Sequence, residues 1–140
     1  MAVVDGVSTV GFASDRTRRP FSPGSVRDES GHGTHITSVA AGRELSADGF
    51  YEGVAPGANV FVVRAFDANG YGSYVDVIEG IQWVIDHHEQ QNIRVLNLSF
   101  SAEPQSYYWD DPLNQAVMAA WEAGIVVVTS AGNTGPDPMT

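Results

Sequence analysis

Two histidines stand three residues apart in Gly31-His32-Gly33-Thr34-His35. An imidazole titrates near neutrality, so it can take up and return a proton, or hold a metal through a neutral nitrogen. His32 and His35 have a spacing that can share a metal, but no third ligand is evident beside them, and proton transfer is the chemistry the segment favours. Glycines on both sides of His32 leave room for another group to approach its ring. The other two histidines, His87 and His88, are adjacent near an expected helix C-terminus, where the macrodipole favours imidazolium without any function. Asp5 ends a short apolar run, and Asn133 closes Ser130-Ala131-Gly132-Asn133. A carboxylate can fix the tautomer of an imidazole, and a carboxamide can donate to an oxyanion. Taken singly, Asp5 reads as a strand-end cap and Asn133 as a turn residue.

The elements that must position these groups follow from hydrophobic periodicity. Ala2-Val3-Val4 reads as a buried strand ending at Asp5-Gly6, and residues 8–30, rich in Gly, Pro and Ser, read as a long surface loop. From His32 to Ala41, Ile36, Val39 and Ala40 recur at helical spacing, with Gly42 suited to a left-handed position after the helix end. Asn59–Arg64 is a strand signal. After Gly70-Tyr71-Gly72-Ser73, the residues Ile78, Ile81, Val84 and Ile85 mark a helix. Arg94–Ser99 is a further strand. Asp111 can cap a helix with Pro112 at its first position and Leu113, Ala116, Val117 and Ala120 along one side. Gly124 ends that helix, and Ile125–Ser130 is the clearest strand. Continuous apolar strands alternating with amphipathic helices predict an α/β fold, a doubly wound parallel sheet with helices on both faces. Such sheets bind ligands beyond the carboxyl ends of their strands, which selects Asp5, Ser99-Phe100-Ser101 and Ser130–Asn133. Neither an internal repeat nor a linker divides residues 1–140, so they form one domain or a piece of one.

Composition narrows the function classes. Seventeen carboxylates against seven cations, all arginine, give a formal charge of −10. A chain so negative repels nucleic acid and anionic lipid, so neither is an expected partner. The cluster Arg16-Thr17-Arg18-Arg19-Pro20 reads as an exposed loop. There is no cysteine, hence no disulfide framework or thiolate metal site. No apolar run has a spanning length, and no signal peptide is visible. A nucleotide-binding module is disfavoured, because neither a P-loop nor a Gly-x-Gly-x-x-Gly after a strand occurs.

Four blocks, in order, carry a resemblance. Gly31-His32-Gly33-Thr34-His35 resembles the histidine motif of the subtilases, the subtilisin-like serine proteases (peptidase S8), in which the first histidine is the general base. Val3-Val4-Asp5-Gly6 is similar to the motif bearing the triad aspartate. Asn97-Leu98-Ser99-Phe100-Ser101 is similar to a wall of the substrate cleft, and Ser130-Ala131-Gly132-Asn133 to the motif of the oxyanion-hole asparagine. Gly53-Val54-Ala55-Pro56-Gly57-Ala58 resembles the turn before the family's next strand, and Gly70-Tyr71-Gly72-Ser73-Tyr74 its substrate-edge segment. The resemblance implies a subtilisin-like fold and a serine endopeptidase acting on polypeptides. It implies Asp5, His32 and Asn133 as catalytic residues, with Gly70, Gly72, Ser99, Phe100, Ser101, Ser130, Ala131 and Gly132 against substrate. It implies extracellular or periplasmic export. No cofactor is evident; calcium enters only through the resemblance, and no local ligand motif matches it.

Two positions depart from the family pattern. Asp5 is followed directly by Gly6, where the family usually inserts Thr or Ser, and Ser101 stands where Gly is common. Asp28, four residues before His32, is the other local carboxylate and is expected to brace the loop. The serine motif, Gly-Thr-Ser-Met-Ala-like at a helix start, has no counterpart in the chain, and the segment before the first strand is short. The expectation is therefore the N-terminal half of the catalytic domain, cut at both ends and needing its C-terminal half. Such a piece is inactive alone and prone to self-association through exposed edges. The competing reading is a non-catalytic relative that binds peptides by strand addition along Gly70-Tyr71-Gly72 and Ser99-Phe100-Ser101.

Overall fold

A computed structural model describes residues 2–5, 28–50, 53–103, 105–133 and 136. Four short strands, β1 (Ala2–Asp5), β2 (Phe61–Arg64), β3 (Val95–Leu98) and β4 (Val126–Thr129), alternate with three helices, α1 (His32–Ala41), α2 (Tyr74–His87) and α3 (Pro112–Glu122). The expected alternation is therefore present, while residues 8–27 of the expected loop lie outside the described residues. All pairings are parallel, in the order β2-β1-β3-β4. The chain passes from β1 outward to β2 and then returns across β1 to β3, so the direction of winding reverses between β1 and β3. In an open parallel sheet that reversal leaves a crevice beyond the carboxyl ends.

One face of the sheet carries the core. Val63, Leu96 and Leu98 meet Ile81 and Val84 of α2 and Ala120 of α3, and all are buried. Alternation along β2 sets Val62, also buried, on the opposite side from Val63. Helix α1 packs on β1 and adds no residue to the core cluster, which places it on the second face. The buried stripe of α2 is Val77, Gly80, Ile81 and Val84, so it is rotated from the expected one: Ile78 and Ile85 are half-buried.

Helix ends follow from local chemistry. Ser73 and Asp76 form a reciprocal capping box at the start of α2. At the end of α3, Gly124 (φ +83°) donates to the Trp121 carbonyl, and Ile125 donates to that of Ala120. These two bonds satisfy carbonyls that the helix leaves unpaired. Gly42 departs from its expected role. Its φ of −58° is open to any residue, and glycine is needed there because a Cβ would run into the Ser38 carbonyl.

Strand β4 also departs from expectation. It was the clearest strand in the sequence, yet Val126 and Val128 remain exposed. It is an edge strand, and only its core-facing side chain, Val127, packs against the cluster.

Candidate functional site

Parallel pairing puts every strand's carboxyl end on one edge of the sheet. Asp5 ends β1 in register with Arg64, the last residue of β2. The segments Ser99-Phe100-Ser101 and Ser130–Asn133 leave β3 and β4 on that same edge, because Leu98 and Thr129 are register partners. His32 is the first residue of α1. The loop before it reaches the same edge, since Glu29 Oε2 pairs with Arg64 Nη2 at 3.0 Å. Thus the backbone at Asp5, the loop leading to His32 and the segment leading to Asn133 all meet one edge of the sheet.

The start of α1 is built without a side chain at its N-cap, because Gly31 occupies that position in the left-handed region at φ +79°. That conformation is the reason for glycine here, and a Cβ would otherwise have open space. Asp28 supplies the missing acceptors: Oδ2 accepts from the Thr34 amide at 2.8 Å and Oδ1 from the Gly31 amide at 2.9 Å. Partial burial pushes its pKa up, but hydrogen bonds from Thr34, Gly31 and Ser30 outweigh this and hold the carboxyl below its ordinary 3.8. The geometry is that of a brace for the loop, as expected for Asp28.

The two walls expected to touch substrate are tied to neighbouring segments. Ser130 Oγ donates to the Phe100 carbonyl at 2.7 Å, and the Ser130 amide donates to the Leu98 carbonyl at 3.2 Å. These bonds fasten the segment leading to Asn133 onto the one holding Ser99–Ser101. Asn97 Nδ2 donates to Ser99 Oγ at 2.7 Å. Across from them, Asp67 folds the turn containing Gly70, accepting from the amides of Asn69 and Tyr71, each at 2.9 Å. Gly70 takes φ +81° there, a conformation that glycine adopts without strain.

Between these walls lies a recess lined by Phe66, Gly72, Tyr74, Phe100, Ser101 and Leu113, leaving about 40 Å³. Phe66 and Phe100 pack at 5.4 Å between ring centroids. Gly72 is glycine because a Cβ would strike the Ala65 carbonyl. Three of these residues, Phe66, Tyr74 and Leu113, are not among the site residues expected from sequence. Leu113 was legible only as part of a helical stripe, Tyr74 only as the end of the substrate-edge segment, and nothing marked Phe66. Tyr74 Oη donates to Asp111 Oδ2 at 3.2 Å, while Asp111 Oδ1 caps α3 through the amides of Leu113 and Asn114. Burial, then the charge and hydrogen bond of Asp111, push the Tyr74 phenol above its ordinary 10.0. Asp111 is 2% exposed, and its burial is matched by this set of donors. A larger hollow, about 400 Å³, lies over the outer side of α3 beside Tyr108, Trp109 and Met118, and none of the expected site residues lines it.

His87 and His88 take no part. Their Nδ1 atoms lie 2.8 Å from the Trp83 carbonyl and 2.6 Å from that of Ile85, and the His87 ring stacks on Trp83. Among the described residues, no group of three or more His, Cys, Asp or Glu could hold a metal ion.

The sequence profile of the Subtilase family matches residues 8–140. The chain belongs to the subtilase family. The subtilases it resembles include the serine protease AprX of Bacillus subtilis (strain 168), 38% identical over 136 residues, covering 94% of this chain and 30% of AprX. Subtilisin Savinase of Lederbergia lenta is 34% identical over 138 residues, covering 96% of this chain and 48% of that protein. The minor extracellular protease Epr of Bacillus subtilis (strain 168) is 28% identical over 136 residues, 96% of this chain and 18% of Epr. Among solved subtilase structures, the S41 psychrophilic protease superposes with a TM-score of 0.77 at 26% identity, over 97% of this chain and 46% of that one. The chain thus spans less than half the length of these relatives.

Proposed function

We propose that this chain supplies the acid–base half of a serine endopeptidase site, with His32 as general base, Asp5 as the carboxylate that orients it and Asn133 as an oxyanion donor. The observation that carries this reading is the convergence of β1, the loop before α1 and the end of β4 on one edge of a parallel sheet, in a subtilase. A serine hydroxyl attacks a peptide carbonyl only when an imidazole takes its proton. The imidazolium that forms needs a carboxylate behind it, and the tetrahedral oxyanion needs a fixed donor in front. No stretch of the 140 residues reads as the serine motif, so the nucleophile comes from outside this sequence.

The polypeptide lies along Gly70-Tyr71-Gly72 on one side and Ser99-Phe100-Ser101 on the other, with Ser130-Ala131-Gly132 leading to Asn133. The apolar recess between these walls takes a side chain, and backbone amides and carbonyls of the walls extend a strand-like peptide. The relative named as an extracellular protease supports action outside the cell for this protein too. Calcium enters only as a feature of the family.

The test joins this chain to the remaining part of AprX and follows hydrolysis of a chromogenic peptide. His32→Ala and Asp5→Asn should each remove at least about 10⁴-fold of turnover, the order lost when the aspartate of such a triad is replaced. Asn133→Ala should remove roughly 10²–10³-fold, the loss known for this donor in subtilisin itself. Turnover that survives His32→Ala refutes the assignment of the base. Peptide binding by the 140-residue chain, with no turnover from the joined protein, would favour a non-catalytic peptide binder.

A further inference from the structure

Arg64 stands at the carboxyl end of β2, opposite Asp5 in the register, and the proposed chemistry does not use it. Its side chain is mostly buried, at 19% exposure, and its guanidinium is held on two sides. Nε donates to the Phe66 carbonyl at 3.0 Å, and Nη2 lies 3.0 Å from Glu29 Oε2. The first bond anchors the planar group to the strand's own exit. The second reaches the loop that delivers His32.

That loop and the turn after β2 are each locally organised by an aspartate. Asp28 binds the amides of Gly31 and Thr34 around His32. Asp67 binds the amides of Asn69 and Tyr71 around Gly70, and its own amide donates to the Tyr71 carbonyl at 2.8 Å. Asp67 is held below its ordinary 3.8 by the Tyr71 and Asn69 amides first, with a further contribution from the charge of Arg64. The cation therefore joins the loop before α1 to the Phe66 carbonyl, directly before the Asp67 turn. The loop leads to the proposed base, and the turn forms one edge of the proposed cleft.

We infer that Arg64 is a positioning residue, which holds the base-bearing loop and the substrate-edge turn in fixed relation at the carboxyl end of β2. The inference rests on the reading of His32 as base and residues 70–72 as cleft edge. An exposed ion pair adds little to stability, and the Glu29 side chain is 41% exposed. Its effect should therefore appear in geometry and not in the melting temperature. A guanidinium suits this role because its fork fixes direction as well as charge, which an ammonium does only in part.

The experiment records backbone amide spectra of the joined protein with Glu29→Gln, Arg64→Gln, Arg64→Lys, Glu29→Arg, Arg64→Glu and the exchanged pair Glu29→Arg with Arg64→Glu. Glu29→Gln is isosteric and lies on the surface, so the fold survives it. The expected result is that it moves the amides of Asn69 and Tyr71 by more than a linewidth, together with those of Gly31 and Thr34. Arg64→Gln should move both sets further, Arg64→Lys should restore part of the parent spectrum, and the exchanged pair should lie nearer the parent than either single reversal. Shifts confined to the neighbours of Glu29, or a lower melting temperature with no shift at residues 69–71, would overturn the inference. Because peptide hydrolysis is not the readout, failure of the serine protease reading would show separately, in the turnover of that protein.

Discussion

On the side of the sheet that meets α2 and α3, Leu96, Val63 and Ile81 are fully removed from solvent, whereas Val126 and Val128 on the other side of β4 are 56% and 47% exposed. The residue types are alike, apolar and mostly β-branched, so the difference lies in what covers them. Two helices contact each other and close one side. On the second side α1 packs on β1, two strands away from β4. Trp121 and Met118 on α3 are exposed as well, at 64% and 56%. The covered side holds the fold together, and the open side presents apolar surface at a free sheet edge, the arrangement that promotes association.

The largest effect should come from the covered side. Leu96→Ala deletes a fully buried side chain at the centre of the core and should cost about 2–5 kcal/mol in chemical denaturation. A cost below about 1 kcal/mol would mean that this side is no better packed than the other. Asp111→Ala comes next. It removes the cap of α3 and the acceptor of Tyr74, for an expected loss of about 1–2 kcal/mol. Tyr74→Phe, which keeps the cap, should cost less than Asp111→Ala; equal costs would show that the cap contributes nothing.

On the open side the expectation reverses. Val126→Thr with Val128→Thr should change the unfolding free energy by less than about 0.5 kcal/mol per site. The same pair should shift sedimentation of the 140-residue chain toward monomer. A parent chain that is already monomeric with a sharp unfolding transition would contradict the picture of an exposed, associating face.

The smallest effect is electrostatic. Asp28 has a folded pKa below its ordinary 3.8, so its contribution is complete above that value and is lost as pH falls through the lower folded value. Asp28→Asn should therefore flatten the acid limb of the stability curve, and only slightly, because the group is partly exposed. An unchanged acid limb would separate Asp28 from the start of α1.

Much of this was legible in the sequence, for definite reasons. Residues 32–41 form the helix that Ile36, Val39 and Ala40 predicted, and Asp111-Pro112 mark the start of α3 through cap and fixed φ. The carboxyl-edge rule found the segments after β3 and β4 because it depends on topology alone. Exposure of β4 was not legible. A run such as Ile125–Thr129 reports strand propensity, and burial depends on elements that stand far away in sequence. Phe66 and Arg64 were missed, and the partner of Tyr74 was not legible, for the same reason, since Phe100, Glu29 and Asp111 lie 34, 35 and 37 positions away. Gly42 was read by its conformation when its cause is space.

The imidazole N–H proton tests the proposed pairing of His32 with Asp5 most directly. A proton held between His32 Nδ1 and a carboxylate resonates far downfield and exchanges slowly. In the protein joined to the remaining part of AprX, one such signal from His32 is expected, lost in His32→Ala and in Asp5→Asn and kept in His35→Ala. A signal that follows His35, or that persists unchanged in Asp5→Asn, would contradict that pairing.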